Sequence, residues 1–201
     1  MSSFAEKQRE MKEVVAKDAI YAASLEVISQ SKNENLRMQD IADAAGIATG
    51  TLYNYFENKE SILYYVDRRL HGQIIEKIDG IAGQSAGAFE KLSNLFELIF
   101  KFCEEYHVVF DLAEKFRVVD QVSKQEKKKG INQAINSIKK VLDEGVKQKT
   151  FKAVDTGAAA RMFFYAMVGI LQLQKYTGEY NYSKNCKLLL KTCRDHLGVK
   201  K

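Results

Sequence analysis

The sequence predicts an all-α protein, and three observations lead to this fold class. The 201 residues contain no proline, which is the residue that most strongly interrupts helices. Apolar residues recur at the three- and four-residue spacing of helix faces, and long alternating, strand-like stretches are missing. Hydrophobic residues make up 46% and charged residues 28%, a composition typical of a soluble protein with a packed core.

The first predicted helix spans residues 5–30. Its apolar positions follow the helical repeat through Val15, Ala19, Ala22, Ala23 and Val27. The segment SKNEN (31–35) is expected to end it, because Asn33 tolerates the left-handed backbone conformation of a turn.

Two short helices follow. The first covers residues 38–45 and stops at Gly46. Its inner face consists of Met38, Ile41, Ala42 and Ala45. The second covers residues 49–56, and its start suggests a hydroxyl side chain as N-cap.

A long helix is predicted over residues 59–79, followed by a glycine-rich loop at 80–87. One side of this helix carries Ile62, Leu63, Val66, Leu70, Ile74 and Ile78. The remaining predicted helices cover residues 88–105, 108–118, 122–149, 156–176 and 183–197.

The segment GIATGTLYNYFENKES (46–61) combines small, hydroxylated and aromatic residues. Two short helices joined by a tight glycine turn form a helix-turn-helix. Leu52 and Phe56 are predicted to point inwards, which leaves an outward edge with little bulk at its start. A helix that enters the DNA major groove needs such an edge, because large side chains there would collide with the duplex.

Each residue of this edge suits a particular DNA contact. Thr49 and Thr51 offer hydroxyls to phosphates or bases, and Gly50 allows close backbone approach. The phenols of Tyr53 and Tyr55 can donate to phosphate oxygens. Two further candidates are Asn54, for an adenine edge, and Lys59, for a phosphate at the start of the next helix.

The stretch MQDIADAAGIATGTLYNYFENKESIL (38–63) resembles the DNA-binding signature of the TetR (tetracycline-repressor) family of bacterial transcriptional regulators. The resemblance implies a homodimer that binds a palindromic operator and is released by a small molecule. It also implies a DNA-binding domain over residues 1–58 and a helical ligand-binding and dimerisation domain over residues 59–201. Two positions depart from the family pattern. Arg37 replaces a capping serine or threonine and is expected to reach a phosphate instead, and Ala48 replaces a serine.

The charge distribution does not itself indicate DNA binding. Residues 1–60 carry a net charge of −3 and residues 61–201 a net charge of +8. The DNA-binding prediction therefore depends on the placement of individual side chains.

A dimer interface is expected on the last two helices, as the resemblance implies. The segment 156–174 is apolar almost all round, and the last helix has an apolar stripe at helical spacing. The predicted interface residues are Phe163, Ala166, Ile170, Cys186, Leu189, Leu190, Cys193 and Leu197. The alternative is that these residues pack only within one monomer.

A ligand cavity is expected among the helices after residue 59, because this part of the chain is rich in aromatic residues. The candidate lining residues are Phe96, Phe100, His107, Phe110, Met162 and Tyr165. The alternative is that the aromatics simply fill the core. The charge of the ligand stays open between a cation and an anion such as an acyl thioester.

Several functions are not expected. No catalytic arrangement, metal-ligand spacing or phosphate-binding loop is found, so neither an enzyme nor a cofactor is predicted. The three cysteines suit reduced thiols. The N-terminus does not resemble a signal peptide, and the apolar run at 162–171 is ten residues long, so we expect a cytoplasmic protein that does not bind a membrane.

The sequence thus predicts a dimeric, ligand-responsive repressor that binds double-stranded DNA. An activator or dual regulator of the same fold is one alternative. A helical small-molecule carrier or enzyme with a vestigial motif is another, from a different functional class.

Overall fold

The computed structural model describes residues 4–30, 36–178 and 181–199. Within these ranges the chain forms eight α-helices and one short 3-10 helix, with no strand. The all-α fold class is therefore confirmed. The helices are α1 (Phe4–Gln30), α2 (Met38–Ala44), α3 (Thr49–Tyr53), α4 (Lys59–Ala82), α5 (Ala88–Lys115), α6 (Lys124–Lys147), α7 (Thr156–Thr177) and α8 (Tyr182–Leu197), and the 3-10 helix covers Val118–Gln121.

The sequence predicted most of these helices within a few residues. One prediction was wrong: α5 is a single helix of 28 residues where two helices were expected. No glycine or proline lies between residues 105 and 108 to end the first of them. The predicted turn at SKNEN (31–35) lies outside the described residues.

The chain divides into two compact units by its internal contacts. Unit 1 comprises Met1–Leu70 and Tyr106–Val122, and unit 2 comprises His71–Glu105 and Ser123–Lys201. Helices α4 and α5 each contribute one part to both units. The division does not coincide with the domain boundary at residue 58 that the sequence analysis expects, and that boundary stays a prediction.

The core of unit 1 begins late in α1. Its buried residues are Ile20, Tyr21, Ala23, Ser24 and Ile28. The predicted apolar face was wrong at Val15, Ala19 and Ala22, which are exposed. No residue of α1 before Ile20 is buried, so the apolar spacing of Val15 and Ala19 has no core to face. Ala22 is exposed although its neighbours Tyr21 and Ala23 are buried, so it lies outside the buried face of the helix.

Aromatic and charged contacts fix α1 against α4 in unit 1. The ring of Tyr65 lies 5.3 Å from that of Phe56 and 6.4 Å from that of Tyr21. The guanidinium of Arg69 stacks on Tyr21 at 4.3 Å from the ring centroid and contacts the Asp18 carboxylate at 2.6 Å. Three of these contacts join α4 to α1, and the contact between Tyr65 and Phe56 joins α4 to the segment that follows α3.

Unit 2 packs parts of α4 and α5 with α6, α7 and α8 around one core. The ends of these helices are well defined. Ser123 and Glu126 form a reciprocal capping box at the start of α6, and Gly178 and Gly198 end α7 and α8 in the left-handed conformation. Gly145 is required for close packing, because a Cβ atom there would lie 2.1 Å from the ring of Phe151.

Most of the predicted dimer-interface residues pack inside this core instead. Five of them are buried within the single chain, namely Phe163, Cys186, Leu189, Cys193 and Leu197. Ile170 and Leu190 are partly buried against the same core, and Ala166 is exposed. The apolar stripe of α8 is thus the face that α8 presents to its own monomer, which corrects the prediction for those five residues.

The exposed face of α7 is strongly apolar. Large side chains exposed on it are Met162, Tyr165, Val168, Leu173 and Tyr176. The segment Thr156–Gln174 is long and apolar enough to cross a membrane by length and composition, with 22% of it buried. This segment extends the ten-residue apolar run at 162–171 past Arg161 on one side and Gln172 on the other. A helix that packs against a second protein chain meets the same criteria.

The six predicted ligand residues occupy different environments. Phe96 and Phe100 are buried in the core of unit 2, where the ring of Phe96 meets that of Phe163 edge-on at 6.4 Å. Met162 and Tyr165 are 45% and 59% exposed, so they do not line a cavity with Phe96, which corrects that expectation. His107 and Phe110 are half-buried in unit 1.

Candidate nucleic-acid interface

A tight glycine turn joins α2 to α3. Gly46 has φ +66°, a left-handed conformation that favours glycine. The amide of Ala45 donates to the carbonyl of Ile41 at 2.9 Å, and the amide of Ile47 donates to the carbonyl of Ala42 at 3.0 Å. These bonds end α2 and redirect the chain into α3, as the sequence predicted.

Four apolar side chains anchor the two helices to the core of unit 1. Ile41, Ala42 and Leu52 are fully buried, and Phe56 is nearly so. The small side chain of Ala42 allows α3 to cross α2 closely. Since Leu52 and Phe56 are fixed inwards, the positions between and before them are directed outwards.

The outward edge of α3 has the predicted composition. Gly50, Thr51, Tyr53 and Asn54 are exposed, while Thr49 and Tyr55 are half-buried. A Cβ atom added to Gly50 would meet no protein atom within 4 Å. A glycine inside a helix costs about 1 kcal/mol relative to alanine. No packing contact around Gly50 requires a glycine at this position, so the backbone there is open to close approach from outside.

The start of α3 differs from the prediction in one respect. The N-cap is Ala48, which makes no side-chain capping bond, so the expected hydroxyl N-cap was wrong. The hydroxyl of Thr49 donates instead to Gln39 Oε1, and Gln39 Nε2 donates to Asp43 at 2.6 Å. Sequence reasoning missed Gln39, although its spacing of four residues from Asp43 on α2 indicates a side-chain pair.

Arg37 lies at the N-cap position of α2 and makes no capping bond there. Its guanidinium forms two hydrogen bonds with the Asp40 carboxylate, at 2.9 and 3.0 Å. This hydrogen-bonded carboxylate raises the pKa of Arg37. Exposed pairs of this kind contribute little to stability, so Arg37 can exchange Asp40 for a phosphate at small cost.

Lys59 begins α4, and its ammonium lies 4.4 Å from the ring centroid of Phe116. The side chain of Asn58 accepts a hydrogen bond from the Ser61 amide at 2.8 Å and thereby caps this helix. The Phe116 ring limits the positions that the Lys59 ammonium occupies. No local sequence pattern indicates this contact, because the two residues are far apart along the chain.

Helices α2 and α3, with their buried inner face and their exposed polar edge, define a helix-turn-helix DNA-binding protein. A sequence model described as "Bacterial regulatory proteins, tetR family" matches residues 20–66. The fatty acid metabolism regulator protein of Bacillus subtilis is 30% identical over 154 residues, which cover 72% of this chain and 76% of that protein. The chain belongs to the TetR family of bacterial transcriptional regulators.

Two further relatives are informative. The transcriptional repressor KstR2 of Mycobacterium tuberculosis is 27% identical over 125 residues, which cover 57% of this chain and 58% of that protein. The crystal structure of FadR from Bacillus subtilis in complex with stearoyl-CoA has a similar fold, with a TM-score of 0.63 at 24% identity. That similarity covers 89% of this chain and 97% of FadR.

Proposed function

We propose that this regulator is a homodimeric repressor that binds a palindromic operator and is released by an acyl thioester. The observation that carries the DNA-binding part is the exposed edge of α3. Gly50 there is open to solvent and unconstrained by the protein, and Thr51 beside it is exposed. An edge without bulk fits between the strands of a duplex, where threonine can contact base edges.

The surrounding residues supply phosphate contacts in this proposal. Tyr53 is 52% exposed, so its hydroxyl can reach a phosphate oxygen while its ring stays on the helix. Tyr55, Arg37 and Lys59 are assigned the same role, and Thr49 and Asn54 are assigned base or phosphate contacts.

We place the dimer interface on the exposed apolar face of α7. Met162, Tyr165, Leu173 and Tyr176 follow one another at helical spacing along this face, with the small residues Ala166 and Gly169 between them. A two-fold symmetric interface brings the same face of two copies together, and small residues let the helices approach closely. Such a dimer binds two half-sites about 34–36 Å apart, one turn of DNA.

The proposed effector is an amphipathic anion with a long apolar chain. Relatives of this chain include a regulator of fatty acid metabolism and a protein of the same fold crystallised with stearoyl-CoA. We place the apolar chain of the effector in the core of unit 2 beside Phe96 and Phe100. These aromatic residues share one core cluster with Ile78 and Ala82 at the end of α4.

This placement suggests how the effector weakens DNA binding. Helix α4 is continuous from Lys59 to Ala82. An acyl chain that enters the core displaces the end of α4, and the displacement reaches the Lys59 end. The effector shifts the equilibrium only by the difference between its affinities for the two conformations. As a DNA-binding regulator of a bacterial family, the protein is placed in the cytoplasm.

Selection of bound duplexes from a random pool tests this function. We expect two inverted half-sites whose centres are separated by one helical turn. A long-chain acyl-CoA added to the selected complex should then lower the affinity for DNA, whereas free coenzyme A should have little effect. Recovery of unrelated sequences would contradict sequence-specific binding, and affinity that acyl-CoA leaves unchanged would contradict the proposed effector.

A further inference from the structure

The first half of α1 is unusual because it extends beyond both the core and the family match. Its residues from Phe4 to Ala19 include no buried position. The match to the family begins at residue 20. About four turns of helix therefore lie outside both the buried core and the family match.

This extension forms an open groove with the residues that directly follow α3. The groove has a volume of about 570 Å³ and is lined by Ala5, Gln8, Arg9, Lys12, Glu13, Lys17, Asn54 and Tyr55. Asn54 and Tyr55 belong to the edge that we propose for DNA contact. The groove thus continues the proposed DNA-binding surface onto α1.

The charges of the groove are mainly positive. It contains three cationic side chains and one carboxylate, and that carboxylate, Glu13, pairs with Lys17 at 2.7 Å. Lys12 forms no ion pair with any residue in the ranges 4–30, 36–178 and 181–199. Arg9 and Lys12 are exposed and lie three residues apart, which places them side by side on the helix.

We infer that the first half of α1 lies along the DNA backbone, with Arg9 and Lys12 binding phosphates next to the one assigned to Tyr55. This inference rests on the proposed DNA binding and extends it to a segment outside the family match. The cations of the groove complement the phosphate charge, and Gln8 and Asn54 can donate hydrogen bonds to the same oxygens.

The face of α1 opposite to the groove is apolar. Phe4, Met11, Val14 and Val15 are exposed there, at 77%, 70%, 58% and 63%. An apolar partner would bind that face and leave the basic groove free. Because the groove adjoins Asn54 and Tyr55, the duplex is the occupant that both its charge and its position favour.

A salt titration with matched charge variants tests this inference. The probe is a random-sequence duplex of about three helical turns, roughly 30 base pairs. The variants are Arg9→Gln and Lys12→Gln, with Lys7→Gln as the control, because Lys7 is an exposed cation of the same helix that does not line the groove. Circular dichroism of each variant verifies that α1 stays helical.

Each groove variant should bind the duplex several-fold more weakly than wild type and lower the slope of log K against log salt by about one. Lys7→Gln should keep the wild-type slope. Equal slopes for Lys12→Gln and Lys7→Gln would overturn the inference, as would wild-type binding by both groove variants. If wild type itself bound the duplex without salt dependence, the proposed DNA binding would fail instead.

Discussion

The outer edge of α3 and the outer face of α7 are both exposed, but their side chains suit different partners. The edge of α3 presents Gly50 and Thr51, which are small or hydroxylated. The face of α7 presents Met162, Tyr165 and Leu173, which are large and apolar. The edge of α3 suits a DNA duplex that approaches closely. The face of α7 suits an apolar protein surface, because contact between the two excludes water. Exposure identifies a candidate interface, and side-chain chemistry indicates the class of its partner.

The largest expected effect on assembly comes from placing a charge on the α7 face. Leu173→Glu would bury a carboxylate at the proposed two-fold interface and should make the protein monomeric, as measured by analytical ultracentrifugation. A monomer engages one half-site at a time, so operator affinity should fall on the order of 10²-fold.

The matched control for this variant is Ile131→Glu. Ile131 is also an exposed large hydrophobic residue, but it lies on α6. The Ile131→Glu variant should stay dimeric and bind the operator as wild type does. A dimeric Leu173→Glu variant would show that α7 does not form the interface.

A smaller effect is expected at Lys59, the phosphate contact that we propose on α4. Lys59→Gln should weaken binding to all DNA sequences and lower the salt slope by about one. Lys77→Gln is the control, because Lys77 also lies over a phenylalanine ring, that of Phe102, at 6.0 Å. If both variants changed the slope equally, the effect would reflect overall charge, and the phosphate assignment of Lys59 would be wrong.

The smallest effect concerns the inner face of α8. Burial raises the pKa of Cys186 to about 11 and of Cys193 to about 12. Both thiols should therefore react slowly with a thiol reagent at pH 8, even in the monomeric Leu173→Glu variant. Half-buried Cys103 should react first, and Cys103→Ser should remove the fast phase. Rapid labelling of Cys186 in the monomeric variant would show that the apolar stripe of α8 is not buried within one chain and belongs to the dimer interface.

The same raised pKa values set the sign of a pH effect on stability. The folded protein keeps these thiols protonated at pH values where the unfolded chain loses its protons. Their contribution to the free energy of unfolding is therefore complete below pH 9 and declines as the pH rises towards 11 and 12. Urea unfolding at pH 8 and pH 10 measures this decline.

The sequence predicted the helix-turn-helix well because several constraints act on few residues. The left-handed turn between α2 and α3 favours glycine, which marks Gly46, and the spacing of Leu52 and Phe56 determines which side of α3 is buried. Because α3 is short, only one of its faces can carry both buried side chains. The inward and outward positions follow directly.

The residues of the proposed dimer interface were harder to predict for a physical reason. The stripe through Cys186, Leu189 and Cys193 shows that one face of α8 is buried, but periodicity does not distinguish a monomer core from a second chain. Contacts between distant residues, such as Lys59 with Phe116, depend on tertiary packing that no local pattern encodes.

The most direct test of the central claim is operator binding by Gly50→Leu. The claim is that the start of α3 approaches DNA too closely to tolerate bulk. Gly72→Leu is the matched control, since Gly72 is another exposed helical glycine where a Cβ atom would meet nothing within 4 Å. Gly50→Leu should melt no earlier than wild type, because leucine favours helix over glycine, yet lose specific operator binding. Gly72→Leu should bind normally. Wild-type operator affinity in Gly50→Leu would contradict the claim.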